Sequence, residues 1–178
     1  PHVIQRARLF RQLDRTTKVP LTWIAAPPGA GKTTLLASYL EKRGLPGIWY
    51  RLDAGDGDPA TLFHYLGLAV QNAAPRFRSR LSHFTPEYMA GLRIFTLRFF
   101  EQLCTRFRYP FMIVFDNYHE VPQESLVHQL LAVGIQQLPH HIRMVVLSRE
   151  CPPAAYVRLQ AEQRLGTVEA SQLELTRE

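Results

Sequence analysis

The sequence predicts an α/β fold, in which helices cover both faces of a sheet of parallel strands. Two observations point to this class. Short apolar runs, the clearest at 111–115 and 142–147, alternate with segments of helical periodicity, as parallel strands alternate with their crossover helices. The chain also has 178 residues, of which 46% are hydrophobic, enough to bury the core of one globular domain. We therefore expect a single α/β domain over residues 1–178.

Five apolar runs are predicted to be strands. They lie at 21–26, 47–52, 111–116 and 142–148, with a weaker one near 167–170. The run at 111–116 is apolar almost throughout, as a central strand buried on both faces is. The spacing between the runs leaves room for a helix in most of the connections, which parallel pairing requires.

Helices are predicted at 6–13, 33–43, 58–69, 85–106, 123–138 and 154–163. Asp58 and Thr85 are each followed by a proline, which is typical of an N-cap with proline at the first helical position. Gly44 suits the end of the second helix, and Pro139 stops the fifth. Residues 74–84 are expected to form a loop.

The run Ala-Pro-Pro-Gly-Ala-Gly-Lys-Thr-Thr at 26–34 is the most informative motif. It lies between a predicted strand and a predicted helix, the context of a phosphate-binding P-loop, or Walker A motif. Ala26 replaces the usual first glycine, a mild change, and an ordinary glycine-rich loop is the alternative interpretation. The candidate nucleotide-binding residues of this loop are Pro28, Gly29, Ala30, Gly31, Lys32, Thr33 and Thr34.

Each part of this loop has an expected role. Gly29 and Gly31 let the backbone turn so that N–H groups face phosphate oxygens. Lys32 is expected at the β- and γ-phosphates, and the Thr33 hydroxyl at Mg²⁺. The cofactors that the motif predicts are therefore ATP or ADP with Mg²⁺.

Asp116 ends the apolar run at 111–115 and is the predicted second metal-site residue, beside Thr33. A turn-forming aspartate after a core strand is the alternative. The next residue is Asn117, where many ATPases have an acid that activates water, and an amide cannot accept a proton. Glu120 is three positions further on. Because a general base contributes roughly 10²–10⁴-fold, the sequence predicts slow hydrolysis or none.

Arg149 follows the predicted strand at 142–148. A cation there can contact the γ-phosphate if this strand lies between the other two, although a surface arginine after a strand is also common. Lys32, Asp116 and Arg149 are the candidate catalytic residues.

Composition excludes several classes. No run approaches the ~20 apolar residues of a membrane span, and two isolated cysteines favour a cytoplasmic protein. The net charge of +6 comes from scattered basic residues, which more often form the solvated side of helices than a nucleic-acid site, so no direct DNA contact is expected. The aspartates at 53–58 lack calcium-loop spacing, and the histidines lack metal-ligand spacing.

Four segments resemble one known family, the signal-transduction ATPases with numerous domains, in their MalT-like branch of LuxR-type transcriptional regulators. The segments are Val-Ile-Gln-Arg-Ala-Arg-Leu at 3–9, Trp-Tyr-Arg-Leu-Asp at 49–53, Asp-Asn-Tyr-His at 116–119 and Ser-Arg-Glu-Cys-Pro-Pro at 148–153. The resemblance implies that Arg6 lies against the nucleotide and that Arg149 lies near the γ-phosphate. Asn117 departs from the family's usual second acid.

The resemblance also implies a P-loop NTPase three-layer sandwich, with a five-stranded parallel sheet in the order 5-1-4-3-2. It implies a switch that is inactive with ADP, exchanges to ATP and then self-associates. Winged-helix, sensor and DNA-binding domains would follow, and the chain looks like a fragment of such a protein. The alternatives are an ordinary P-loop ATPase or small-molecule kinase, and a fragment of a nucleic-acid motor.

Overall fold

The computed structural model describes residues 2–77 and 80–173, with side chains at 7–77 and 80–171. Its five strands form one parallel sheet in the order β2-β3-β4-β1-β5, which confirms the expected order. The strands are β1 (Leu21–Ala25), β2 (Gly47–Arg51), β3 (Phe111–Asp116), β4 (Ile142–Ser148) and β5 (Leu165–Glu169).

Seven α-helices occur in the described ranges. They are α1 (His2–Thr16), α2 (Lys32–Arg43), α3 (Pro59–Ala73), α4 (Leu92–Cys104), α5 (Val127–Ile135), α6 (Val157–Ala161) and α7 (Ala170–Leu173). Short 3₁₀ turns lie at Ala54–Gly57, Pro86–Gly91, Tyr118–Glu120 and Ala154–Tyr156.

The sheet lies between two apolar layers. On one face, side chains of α1 and α2 such as Leu13 and Leu36 pack against Val114 and Leu147 of the sheet. On the other face, α3, α4 and α5 form a larger core that is rich in phenylalanine. Successive side chains of each strand point to opposite faces of the sheet. The result is the three-layer sandwich that was expected.

Strand register brings the functional segments to one edge of the sheet. Ala25 at the end of β1 pairs with Ser148 at the end of β4, and Phe115 near the end of β3 pairs with Val146. Because the strands are parallel, their carboxyl ends open on the same side. The loops that follow β1, β3 and β4 therefore meet there, with the loop after β4 in the middle.

The aspartates at 53–58 have the turn and cap roles expected of them. The Asp53 side chain accepts a hydrogen bond from the Gly55 N–H, and the Asp56 side chain accepts one from the Asp53 N–H. Asp58 caps α3 by accepting the Thr61 N–H at 2.9 Å. Their oxygens are thus used to satisfy backbone donors.

Two predicted helices were wrong at their N-termini. Thr85 makes no capping bond, residues 86–91 form a 3₁₀ turn, and α4 begins only after Gly91, a residue that disfavours helix. The helix predicted from 123 begins at Val127. There the Ser125 hydroxyl donates to the Gly57 carbonyl and accepts the Val127 N–H, so it competes with a helical start.

Candidate nucleotide-binding site

The loop between β1 and α2 has the backbone of a phosphate-binding loop. Gly29 and Gly31 have φ angles of 79° and 76°, a left-handed conformation that is costly for residues with a Cβ. A Cβ at either position would meet no atom within 4 Å, so glycine is needed for its backbone freedom. Gly31 is the N-cap of α2 and supplies no side-chain cap. The first N–H groups of α2, at the positive end of the helix dipole, therefore remain for an anion.

Lys32, the first residue of α2, turns back over this loop. Its Nζ donates hydrogen bonds to the carbonyl oxygens of Ala26 and Pro27, the latter at 2.9 Å. Burial lowers the pKa of Lys32 and the charge of Arg149 lowers it further, while Asp116 raises it. The Lys32 ammonium is therefore repelled by the Arg149 guanidinium. An anionic ligand between them would relieve this repulsion.

Asp116 is held at the end of β3 by donors from three directions. Its Oδ2 accepts from the Thr33 hydroxyl at 3.2 Å and from the Trp49 indole at 3.3 Å. Its Oδ1 accepts the backbone N–H of Asn117 at 2.9 Å. Only 8% of Asp116 is exposed. The two predicted metal-site oxygens, on Thr33 and Asp116, are therefore already in contact.

Arg149 follows β4 and is exposed. Since β4 lies between β1 and β3, Arg149 follows a strand that lies between those of the P-loop and Asp116, as predicted. Asn117 comes next after Asp116 in the left-handed conformation, with φ 59°, which asparagine tolerates better than most residues.

These segments surround one pocket of about 390 Å³. Its lining residues come from the P-loop, the end of β3 and the end of β4: Pro28, Gly29, Gly31, Lys32, Thr33, Thr34, Asp116, Asn117, His119, Leu147 and Arg149. The structure therefore brings together most of the residues predicted from the sequence, and it places both cations and the buried carboxylate around the same space.

His119 is a pocket residue that the sequence analysis missed. Its side chain is only 10% exposed, and neither ring nitrogen has a hydrogen-bond partner among the described residues. Glu120 Oε1 lies 3.3 Å from Nε2, within ion-pair distance but without hydrogen-bond geometry. Burial and, next, the charge of Arg149 lower the pKa of His119, while Glu120 raises it. The balance of these effects favours the neutral form of the imidazole.

The only sequence signal for His119 is that it lies three residues after Asp116, the end of the acidic strand. The 3₁₀ turn Tyr118–Glu120 returns the chain toward the pocket, and the position of the side chain depends on that turn.

Three other expectations have different outcomes. The Ala30 N–H donates to the Pro27 carbonyl at 3.3 Å within the loop, and Ala30 does not line the pocket, so its predicted role in nucleotide binding stays a prediction. Arg6 belongs to α1, but its side chain lies outside the described residues. Glu120 does not line the pocket and contacts His119 instead.

The fold and this pocket define a P-loop NTPase domain. Residues 2–149 match the family described as Nephrocystin 3, N-terminal, and the chain belongs to that family.

The HTH-type transcriptional regulator MalT of Cronobacter sakazakii (strain ATCC BAA-894) is 29% identical to the chain over 177 residues. This match covers 98% of the chain but 19% of that regulator. The similarity confirms the resemblance to MalT-like regulators and identifies a nucleotide-binding domain of the regulatory ATPase type.

A solved structure, Drosophila ORC bound to AT-rich DNA and Cdc6, contains a chain with the same fold. The TM-score is 0.57 at 9% identity, over 95% of this chain and 56% of that chain. This likeness concerns the fold alone. None of the helices in the described ranges is both long and apolar enough to span a lipid bilayer.

Proposed function

We propose that the chain is the ATP/ADP-binding switch domain of a multidomain transcriptional regulator, and that it hydrolyses ATP slowly or not at all. One observation carries the proposal. Lys32 at the start of α2, Asp116 at the end of β3 and Arg149 after β4 line a single pocket at the carboxyl edge of the sheet, where open α/β sheets bind their ligands.

The residues present fit a nucleotide with its metal ion. The N-terminus of α2 lacks a side-chain cap, and Lys32 and Arg149 supply positive charge for phosphates. The oxygens of Thr33 and Asp116, 3.2 Å apart, are the hard ligands that Mg²⁺ prefers, either directly or through water. Bound Mg²⁺ would neutralise phosphate charge. Lys32, now bonded to loop carbonyls, would exchange these for phosphate oxygens.

Asn117 supports slow hydrolysis. It lines the pocket directly after Asp116, the position where a carboxylate would activate water, and its amide cannot take a proton. A site that binds ATP tightly but turns it over slowly retains the γ-phosphate, and Arg149 is placed to respond to its presence. This is the behaviour of a switch, in which the ligand biases two conformations by its different affinity for them.

The remainder of the proposal concerns the longer protein. The chain spans about a fifth of the length of the MalT regulator it matches. We place winged-helix, sensor and DNA-binding domains elsewhere in a longer cytoplasmic chain, together with ATP-dependent self-association. Residues 1–178 would then form one nucleotide-binding domain that does not itself contact DNA or membrane.

One observation favours a second candidate, a P-loop ATPase with ordinary turnover. His119 lines the pocket, and neither of its ring nitrogens has a hydrogen-bond partner among the described residues. A neutral imidazole can accept a proton, so it could replace the acid that is absent at position 117.

Calorimetric titration with ADP and with ATP, each with Mg²⁺, followed by a turnover assay on the same sample, tests the proposal. We expect binding with negligible turnover. Lys32→Ala should weaken binding at least about 100-fold, because it removes charge-assisted hydrogen bonds to phosphate. Lys42→Ala, which changes an exposed lysine at the other end of α2, is the matched control and should bind normally.

Tight binding by Lys32→Ala would contradict the P-loop assignment. Brisk turnover by the unaltered protein would favour the ordinary ATPase.

A further inference from the structure

Trp49 contacts the predicted metal-site carboxylate from a direction that the P-loop does not provide. Trp49 lies on β2, the edge strand next to β3. Its indole Nε1 donates to Asp116 Oδ2 at 3.3 Å, the same oxygen that accepts the Thr33 hydroxyl at 3.2 Å. Three elements, β2, β3 and the start of α2, therefore meet at one oxygen atom.

The sheet explains how Trp49 reaches this position. Side chains alternate along a strand, and Ile48 of β2 belongs to the core under α3, α4 and α5. Trp49 therefore faces the other layer, which contains α2. Gly47 allows β2 to approach β3 closely, because a Cβ there would lie 2.4 Å from the Met112 carbonyl oxygen.

The contact matters more to the carboxylate than to the indole. Trp49 is 36% exposed, and a hydrogen bond made by a side chain at the surface contributes little net free energy. Asp116, at 8% exposure, has lost most of its water, and buried carboxylate oxygens need hydrogen-bond donors. A donor to Oδ2 also restricts rotation of the carboxylate, since Oδ1 is held separately by the Asn117 N–H.

We propose that Trp49 is a positioning residue for the metal site, which holds Asp116 Oδ2 beside Thr33 before the metal ion binds. This inference rests on the proposed function, since it requires that the pocket binds a Mg²⁺–nucleotide complex. Partners that orient a metal-ligating group in this way raise metal affinity by pre-organisation.

The variant Trp49→Phe tests the proposal, because it keeps an aromatic ring and removes the donor. ADP binding is titrated calorimetrically across a series of Mg²⁺ concentrations and again in EDTA. We expect the Mg²⁺ concentration at half-maximal enhancement to rise about tenfold, the lower end of the effect of such partners. ADP affinity in EDTA should stay the same, because Trp49 does not line the phosphate pocket.

Tyr65→Phe is the matched control, since it removes a donor from another exposed aromatic residue, on α3. It should change neither quantity. An unchanged Mg²⁺ dependence in Trp49→Phe would overturn the role of Trp49 alone, as would an equal loss of ADP affinity with and without Mg²⁺. Failure of the unaltered protein to bind ADP at all would overturn the proposed function, and this inference with it.

Discussion

His119 and His128 lie nine residues apart in the sequence, and their surroundings are opposite. His128 is buried behind the loop that follows β3, and both of its ring nitrogens have partners. Its Nδ1 lies 2.8 Å from the Tyr118 hydroxyl, and its Nε2 lies 2.9 Å from the Pro122 carbonyl oxygen. His119 faces the pocket, and neither of its ring nitrogens has a partner among the described residues.

The partners of His128 determine its protonation. The Pro122 carbonyl can only accept, so Nε2 carries the proton and Nδ1 accepts from the Tyr118 hydroxyl. That hydroxyl in turn accepts from the Tyr156 hydroxyl at 2.6 Å. The Trp23 ring packs against Tyr118 and Tyr156, with centroid distances of 5.0 and 5.4 Å. Each polar atom in this buried network has a use within the protein.

The network also packs behind two of the segments that line the pocket. Tyr118 lies two residues after Asp116. The Trp23 indole donates to the Glu150 carbonyl at 2.8 Å, next to Arg149. We infer a division of roles from this comparison: the network holds the loops in place, and His119, on their other side, is placed to contact a ligand. Buried polar groups without partners are rare enough in proteins to need such an explanation.

The largest expected effect is on ATP turnover, and it tests the pocket. Asn117→Asp adds the carboxylate that the site lacks, at a left-handed position that aspartate also tolerates. We expect ATP turnover to rise by roughly 10²–10⁴-fold, measured as phosphate release at saturating ATP. ADP binding should remain.

Glu124→Gln is the control, because Glu124 is exposed and does not line the pocket, and its turnover should equal that of the unaltered protein. If Asn117→Asp leaves turnover flat, the limiting group is not the missing acid. The catalytic groups would then have to come from the further domains that we propose.

Much of this pocket could be predicted from the sequence, because its main parts follow apolar runs. The strands at 111–116 and 142–148 were predicted to the residue, and parallel order then places Asp116 and Arg149 at one edge. Trp49 and His119 were not predicted to act there. Their positions depend on close packing of an edge strand and on a 3₁₀ turn, neither of which a periodic pattern encodes.

The second prediction tests the satisfied network. Tyr118→Phe keeps the ring but leaves His128 Nδ1 and the Tyr156 hydroxyl without their partner. Each unpaired buried group costs about 1–3 kcal/mol, so the loss of both contacts should lower the free energy of unfolding in urea by roughly 2–6 kcal/mol. His119→Leu, on the pocket side, removes no side-chain hydrogen bond among the described residues and should cost much less. Equal losses in the two variants would contradict the division between the two regions.

The smallest effect is the pH response of the two histidines. Burial lowers the pKa of both, and Arg149 further lowers that of His119. The unfolded chain, with ordinary histidines near 6.5, therefore binds more protons than the folded protein just below that pH. The free energy of unfolding should fall as the pH drops below about 6.5, by at most about 1.4 kcal/mol per pH unit for each histidine.

Bound ADP should affect the pKa values of the two histidines differently, because phosphate charge favours the imidazolium form of a neighbouring residue. An NMR titration of the assigned imidazole signals, with and without saturating ADP, measures this. We expect ADP to raise the pKa of His119 and to leave that of His128 unchanged, since the latter lies within the closed network. Movement of His128 with no change at His119 would mean that the ligand acts on the network rather than at the pocket, and the two regions would have to exchange the roles assigned to them.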